Sequence, residues 1–214
     1  MRLTLLLSAL IVIVFVLVVL FVDNIDEFYS FYGFSDQNML ERPYVFFTSI
    51  FLHAGIEHLL ANLFVLVFFG LAVEKELGSA RTLAIFLLGA VAGDMLSLAV
   101  YPFDALSVGA SAGIFALIGV GMLVRPLDLS FYPLILPIPL LFLGIAYTVY
   151  NIYGFFFLPE SNISYIGHFG GLFVGLVLGF AETGFRKGLK TLLIGIAGLV
   201  IIAALWWYFV SRAL

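Results

Sequence analysis

Long apolar runs separated by short polar clusters dominate the pattern of the chain. Seven of these runs approach the length of about 20 residues that a helix needs to cross a bilayer. They lie at approximately 3–22, 56–75, 80–100, 111–125, 133–154, 164–182 and 188–210. The pattern therefore predicts an all-α, polytopic membrane protein with seven transmembrane helices. The first run is too long and too uniformly apolar for the core of a signal peptide, so we expect it to remain as a span.

The composition supports a membrane protein and excludes several other classes. Of the 214 residues, 64% are hydrophobic and 10% are charged, and the mean hydropathy is +1.23. A soluble domain of this size could not cover its surface with so few charges. The formal net charge of −4 is spread along the chain, so no nucleic-acid partner is expected. The absence of cysteine excludes disulfides, thiol nucleophiles and cysteine metal sites, and no metal or other cofactor is predicted.

The basic residues predict the orientation in the membrane. With the N-terminus inside, seven basic residues are cytoplasmic and two lie outside: Arg2, Lys75, Arg81, Arg125, Arg186, Lys187 and Lys190 against Arg42 and Arg212. By the positive-inside rule, the N-terminus is cytoplasmic and the C-terminus is outside. The short, cysteine-free chain favours a prokaryotic plasma membrane. The segment 23–55 is expected to be the one long loop, with its apolar end, 44–52, in the membrane interface.

Polar residues in three of the predicted spans lie at a similar depth. The second, fourth and sixth spans begin at the outer face, and near that end they carry His58, Asn62, Ser111 and His168. Ser111 and His168 each lie fourteen residues before a charged residue that marks the inner end, Arg125 and Glu182 respectively. At 1.5 Å per residue, both side chains lie about 21 Å above the inner boundary. A lone serine usually bonds its own helix or a neighbour, but four polar residues in one layer favour a functional site.

The fourth span is short, which suggests how water reaches this layer. From Ser111 to Arg125 it covers about 22 Å of a hydrocarbon core about 30 Å thick. The preceding segment, 101–110, is therefore expected to enter the membrane as non-helical backbone. Such backbone is tolerated where protein buries it or a water-filled cavity bathes it. The lengths alone thus predict a buried serine beside water.

The residues around Ser111 suit an acyl-transfer site. Gly109 and Gly113 flank the serine at a helix N-terminus, where backbone N–H groups favour a developing oxyanion. His58 and Asn62 are four residues apart, so they share a helical face and could donate to the same oxyanion. Phe115 lies one turn after Ser111 and could stack against an imidazole.

A stripe of glycines follows His168 at helical spacing. Gly171, Gly175 and Gly179 lie on its face of the sixth span, and they would allow close approach to the fourth span. That approach would bring His168 to Ser111. Ordinary helix packing also explains the stripe, and the two interpretations are compatible.

Taken together, these motifs resemble those of the rhomboid intramembrane serine proteases. The resemblance rests on His58–Asn62 (H-x-x-x-N), Gly109–Ala112 (G-x-S-G/A) and His168–Gly175 (H-x-x-G-x-x-x-G), and it extends from the first span to about residue 182. It implies a Ser111–His168 catalytic dyad, with an oxyanion site formed by His58, Asn62 and the Ser111 backbone N–H. It also implies a six-helix catalytic core (1–182) with a seventh helix appended (183–214). The expected partners are transmembrane protein substrates and membrane lipids.

Two other functions remain open at this point. A rhomboid-like protein without catalysis could bind membrane helices for quality control, although it would not need both Ser111 and His168. A channel or transporter could use the polar layer and Asp94 in the third span, but the inner ends of the spans carry few polar residues. The aromatic outer end of the fifth span is a candidate lateral gate for substrates, although an interfacial aromatic belt explains it as well.

Overall fold

Helices form the secondary structure throughout the part of the chain that a computed structural model describes, which is residues 2–100, 105–129, 138–158 and 163–213. The described helices are α1 (Arg2–Phe21), α2 (Ile25–Tyr32), α3 (Asp36–Met39), α4 (Val45–Phe51), α5 (Ile56–Leu77), α6 (Ser79–Leu98), α7 (Ser111–Val124), α8 (Leu140–Phe157), α9 (Tyr165–Thr183) and α10 (Phe185–Ala213).

Six of these helices are long and apolar enough to cross a membrane, namely α1, α5, α6, α8, α9 and α10. The fourth predicted span corresponds to α7, which has 14 residues and is shorter than a full span. The predicted all-α, polytopic fold is confirmed. The predicted fifth span began at 133, but residues 133–137 lie outside the described residues, and α8 begins at Leu140.

The segment 23–55 is more ordered than the single loop that the sequence predicted. It forms α2, α3 and α4, and α4 coincides with the apolar end expected in the interface. Local capping explains the first two helices. The Asn24 side chain accepts a hydrogen bond from the Glu27 N–H, and the Asn38 side chain accepts one from the Ser35 N–H. Helices this short lack the repeated apolar spacing on which sequence analysis depends.

Helix α7 lies at the centre of the fold and packs against α5, α6, α8 and α9. All its residues from Gly113 to Leu123 are buried, which explains why it is apolar on every face. Its closest neighbour is α9, where two glycines allow the backbones to touch. A Cβ atom at Gly171 would collide with the Ala112 carbonyl, and one at Gly175 would collide with the Ala116 carbonyl.

Ion pairs join the helix ends at the face where α5, α7 and α9 finish. Arg81 at the start of α6 pairs with Glu182 near the end of α9 at 3.1 Å. Arg125, directly after α7, pairs with Glu76 near the end of α5 at 3.2 Å. The charged residues that served as depth markers for Ser111 and His168 therefore lie at one face of the bundle.

A buried carboxylate at the same face caps α1. Glu74 accepts hydrogen bonds from the backbone N–H groups of Leu3 and Thr4 at 2.9 and 3.0 Å. It also accepts from the hydroxyls of Thr4 and Ser79, both at 2.7 Å. Negative charge at a helix N-terminus satisfies amides that have no partner within the helix. Glu74 thus fixes the start of α1 against the junction of α5 and α6.

Helix α10 packs more loosely than the other spans. It contacts α8 through Gly195, which faces Leu141 and Ile145, while its aromatic residues from Trp206 to Phe209 are exposed. The turn before it contains Gly184 at φ +81°. The division of the chain into a core (1–182) and an appended helix (183–214) stays a prediction.

The α7–α9 contact yields a test of packing. We expect Gly175→Ala to lower the free energy of unfolding by about 1–3 kcal/mol, because the added methyl must separate two backbones. Helix propensity alone would give the opposite sign, since alanine is the better helix former by about 1 kcal/mol. The measurement is the thermal unfolding midpoint in detergent micelles.

Gly55→Ala, at the N-cap of α5, is the control for the same exchange away from any contact, and the weaker cap should cost less than about 1 kcal/mol. A Cβ at Gly55 meets nothing within 4 Å, and its backbone is extended at φ −178°. Equal midpoints for the two variants would show that the α7–α9 backbone contact does not limit stability.

Candidate active site

Ser111 is the first residue of α7 and follows a non-helical segment, of which residues 105–110 are described. Two features require glycine at position 109. Its backbone has φ +127°, and a Cβ there would lie 2.8 Å from Cε1 and 2.9 Å from Nε2 of His58. The His58 ring therefore lies against the turn two residues before the serine.

Backbone hydrogen bonds anchor the segment before Ser111 to the α2–α4 region. Ser107 and Phe34 exchange two hydrogen bonds, at 2.8 and 3.0 Å, as an isolated antiparallel bridge. The Gly109 N–H donates to the Ser49 carbonyl at 2.9 Å. These bonds satisfy backbone groups of a segment that forms no helix. The expected entry of segment 101–110 into the membrane stays a prediction, and residues 101–104 lie outside the described residues.

His168 lies in the first turn of α9, on the side that faces α7. Its ring stacks on Phe115 with the centroids 4.3 Å apart and the planes 12° from parallel. Phe115 follows Ser111 by one turn of α7, and Gly171 follows His168 by about one turn of α9, where it touches Ala112. Ser111 and His168 therefore belong to one helix interface, and both are half-buried.

The predicted site differs in two ways from a fully assembled catalytic arrangement. Among the described residues, no hydrogen bond joins Ser111 Oγ to the His168 ring. The Asn62 side-chain amide donates one N–H to the His58 carbonyl within α5 at 2.8 Å, which leaves its second N–H for another acceptor. The roles of Ser111, His168, His58 and Asn62 stay predictions.

The structure adds a residue that the sequence analysis did not identify. Asn151 of α8 is 1% exposed, and its Oδ1 lies 2.7 Å from His168 Nδ1. Its Nδ2 donates to the Tyr165 carbonyl at 3.0 Å. The one available signal was an amide within an apolar span, because such polar groups need a partner.

Asp94 lies beside the segment that precedes Ser111. It is buried, and the Ser107 hydroxyl donates to it over a long 3.5 Å. One turn further along α6, the hydroxyls of Ser97 and Ser164 are 3.0 Å apart. These contacts join α6 to the segments before α7 and α9, and they give Asp94 a neighbour within the protein.

Comparison with known families adds to this geometry. The family model described as the Rhomboid domain matches residues 40–185, which is more than half of the chain. The chain belongs to the Rhomboid family. The match begins before α4 and ends where α10 begins, so it includes every predicted site residue.

Individual relatives of this rhomboid protein come from distant organisms. It is 31% identical over 147 residues to Rhomboid-like protein 11, chloroplastic, of Arabidopsis thaliana (63% of this chain, 51% of the relative). It is 32% identical over 136 residues to RHOMBOID-like protein 7 of the same plant (62% of this chain, 41% of the relative). It is 33% identical over 160 residues to Rhomboid protease GluP of Bacillus subtilis (strain 168) (70% of this chain, 29% of the relative).

The chain spans about half or less of the length of these relatives. Since they include plant proteins, they give no support to the expectation of a prokaryotic plasma membrane. They do support a multi-pass membrane protein of a family that contains proteases.

A second histidine, in the loop before α5, packs against the His58 ring. His53 lies between α4 and α5, is 1% exposed, and has its ring centroid 5.0 Å from that of His58. Its Nδ1 lies 3.4 Å from the Phe51 carbonyl, while its buried Nε2 has no hydrogen-bond partner among the described residues. Burial, and then the neighbouring His58, lowers the pKa of His53 to about 4.

This lowered pKa predicts a loss of stability in acid. The unfolded chain protonates His53 near its ordinary pKa of 6.5, whereas the folded protein does so near 4. The neutral ring therefore contributes fully to the free energy of unfolding above pH 6.5. This contribution, on the order of 2–3 kcal/mol, is lost as the pH falls toward 4. The measurement is the thermal midpoint at pH 7.5 and at pH 5.

His53→Asn is the control, because asparagine keeps a nitrogen donor near the position of Nδ1 but does not titrate. We expect its midpoint to change less between the two pH values than that of the wild type. The same change in both proteins would attribute the acid sensitivity to other groups.

Proposed function

We propose that this rhomboid protein is an intramembrane serine endopeptidase that cleaves transmembrane segments of other membrane proteins. The observation that supports this most directly is the α7–α9 interface. It carries Ser111 at the N-terminus of one helix and His168 in the first turn of the other, with the His168 ring stacked on Phe115.

In the proposed reaction, Ser111 Oγ attacks the scissile carbonyl while His168 takes the hydroxyl proton. The resulting tetrahedral intermediate collapses when His168 returns that proton to the leaving amine. Water then hydrolyses the acyl-enzyme by the same proton transfers. Catalytic hydrogen bonds are often long before substrate binds, so rotation of the Ser111 side chain toward His168 is assigned to the substrate-bound state.

The oxyanion is proposed to lie at the N-terminus of α7. The Ser111 backbone N–H belongs to the first turn, where helix amides lack partners within the helix. The His58 ring lies against Gly109 and so approaches the same point from α5. Asn62, one turn further along α5, offers its second amide N–H.

The short helix also determines which part of a substrate is cleaved. At 14 residues, α7 spans about 21 Å of a core about 30 Å thick, so its N-terminus lies below one membrane surface. A substrate helix must unwind near that surface, because its scissile bond is otherwise enclosed by helical hydrogen bonds. Small or glycine residues in the substrate should assist this step. Helix α8 is the candidate gate through which the segment enters.

The proposed topology places the N-terminus of the chain in the cytoplasm. Lys75, Arg81 and Arg125 all lie near the face of the bundle at which the ion pairs join α5, α6, α7 and α9. The positive-inside rule then assigns this face to the cytoplasm and Ser111 to the outer half of the membrane.

Replacement of the proposed nucleophile tests the function. Ser111→Ala should abolish both cleavage of a model transmembrane substrate and covalent labelling by a fluorophosphonate probe, with the thermal midpoint retained. His168→Ala should be equally inactive and the double variant no worse, because a nucleophile and its base act as one unit. The readouts are cleavage in proteoliposomes and in-gel fluorescence.

The non-catalytic binder predicts another result. It would give a folded wild-type protein that neither labels nor cleaves. Additive losses in the double variant would instead show that Ser111 and His168 do not act together.

Single cysteines test the topology, since the chain contains none of its own. We expect Leu106→Cys, at an exposed position in the segment before α7, to react with a membrane-impermeant thiol reagent from the outer side. Lys187→Cys should react from the cytoplasmic side. Ala116→Cys, at a fully buried position, is the protected control. Outer-side labelling at position 187 would reverse the proposed topology.

A further inference from the structure

We infer that Asn151 is a positioning residue for His168, which fixes the tautomer and the orientation of the ring so that Nε2 is the nitrogen available to Ser111. The inference rests on the proposed function, because it assigns His168 the role of general base. It changes the proposed dyad into a three-residue arrangement, Ser111–His168–Asn151, whose members come from α7, α9 and α8.

The orientation of the Asn151 amide follows from its two contacts. One end lies 3.0 Å from the Tyr165 carbonyl oxygen, which can only accept a hydrogen bond. That end must therefore be the NH2 group, since an amide oxygen there would oppose another oxygen. The remaining end, which lies 2.7 Å from His168 Nδ1, is then the carbonyl oxygen Oδ1.

This amide orientation selects one state of the histidine. Because Oδ1 can only accept, Nδ1 of His168 must carry a proton and donate it. A neutral imidazole has one N–H, so its Nε2 is left with a lone pair. This tautomer is the one that a general base needs when its partner serine approaches Nε2.

Two contacts, one at the face of the ring and one at Nδ1, restrict it. Phe115 stacks on its face at 4.3 Å and fixes the plane. Asn151 bonds its edge and prevents rotation within that plane. Both partners are well packed, because Phe115 is buried and Asn151 is 1% exposed. An orienting group of this kind is most effective when its own position is fixed.

Close packing of α8 against α9 holds Asn151 in place. Gly154, about one turn further along α8, faces the Tyr165 ring so closely that a Cβ there would collide with it. The backbone carbonyl of the same Tyr165 accepts the hydrogen bond from the Asn151 amide. Asn151 is thus fixed to the residue that begins α9, three positions before His168.

A purely structural role for Asn151 makes different predictions. An amide that only joined α8 to α9 would contribute to stability or to substrate entry through the candidate gate. Its loss would then change the thermal midpoint or KM, or would raise turnover by loosening α8. A positioning role instead lowers kcat and the rate at which Ser111 reacts with small probes that need no gate.

Three variants separate these roles. Asn151→Leu keeps the branching and the number of side-chain heavy atoms, and it removes both hydrogen bonds. Asn151→Asp keeps an oxygen that can accept from Nδ1. Thr148→Val is the matched control, since it removes a hydroxyl that bonds within α8 about one turn earlier. The readouts are the second-order rate constant for fluorophosphonate labelling, kcat and KM for a transmembrane substrate, and the thermal midpoint.

We expect Asn151→Leu to lower kcat and the labelling rate by about 10- to 100-fold, the scale of losing a group that orients a functional histidine, with KM changed by less than about threefold. Asn151→Asp should recover part of the labelling rate at pH 8, where its oxygen accepts from Nδ1 of a neutral ring, and Thr148→Val should match the wild type. A wild-type labelling rate in Asn151→Leu, or equal losses in the Leu and Asp variants, would overturn the assignment. Labelling and cleavage by the wild type but not by Ser111→Ala would show that the proposed function holds, whatever the result for Asn151.

A spectroscopic measurement needs no Asn151 variant. The chain has three histidines, so 15N labelling of histidine gives few signals, and His168→Ala identifies the one that matters. In the wild type at pH 8, the 15N shifts and long-range couplings should show the Nδ1–H tautomer for His168. The Nε2–H tautomer, or a mixture of the two, would overturn the inference whatever the activity of the protein.

Discussion

The direct contact between the backbones of α7 and α9 is the constraint on which the rest of the fold depends. Gly171 and Gly175 have no side chains to separate the helices, so Ala112 and Ala116 lie against them. Within a bilayer, where apolar side chains gain little by leaving lipid, such close contact is a main source of helix association. It buries the short α7 at the centre, and it places the first turns of both helices, with Ser111 and His168, at the same level.

Much of this arrangement follows from the sequence, because a membrane restricts what a chain can do. Apolar run length predicts the spans, and counting residues from Arg125 and Glu182 predicts a common depth for Ser111 and His168. The markers themselves lie at one face of the bundle, where Arg81 pairs with Glu182 and Arg125 pairs with Glu76. The helices between residues 23 and 55 were not predicted, since α2 to α4 depend on local caps and not on a repeated apolar face.

The role of Asn151 could not be predicted from the sequence of α8 alone. Depth and spacing describe each helix alone, whereas the Asn151–His168 bond depends on how α8 is rotated about its own axis. That rotation follows from side-chain packing between distant parts of the chain, such as Gly154 against Tyr165. Asn62 illustrates the same limit, because spacing places it beside His58 but does not reveal that its amide bonds the His58 carbonyl.

The group that bonds His168 is an amide and not a carboxylate, and this affects the cost of burying the site in a bilayer. A carboxylate in that position would be an ion in a medium of low dielectric constant, and it would favour a charged ring beside it. The Asn151 amide carries a dipole but no net charge. The resting cluster of Ser111, His168 and Asn151 can therefore be electrically neutral, and its transfer from water during membrane insertion avoids the large solvation penalty of a buried ion. Charge separation is then confined to the moment of proton transfer.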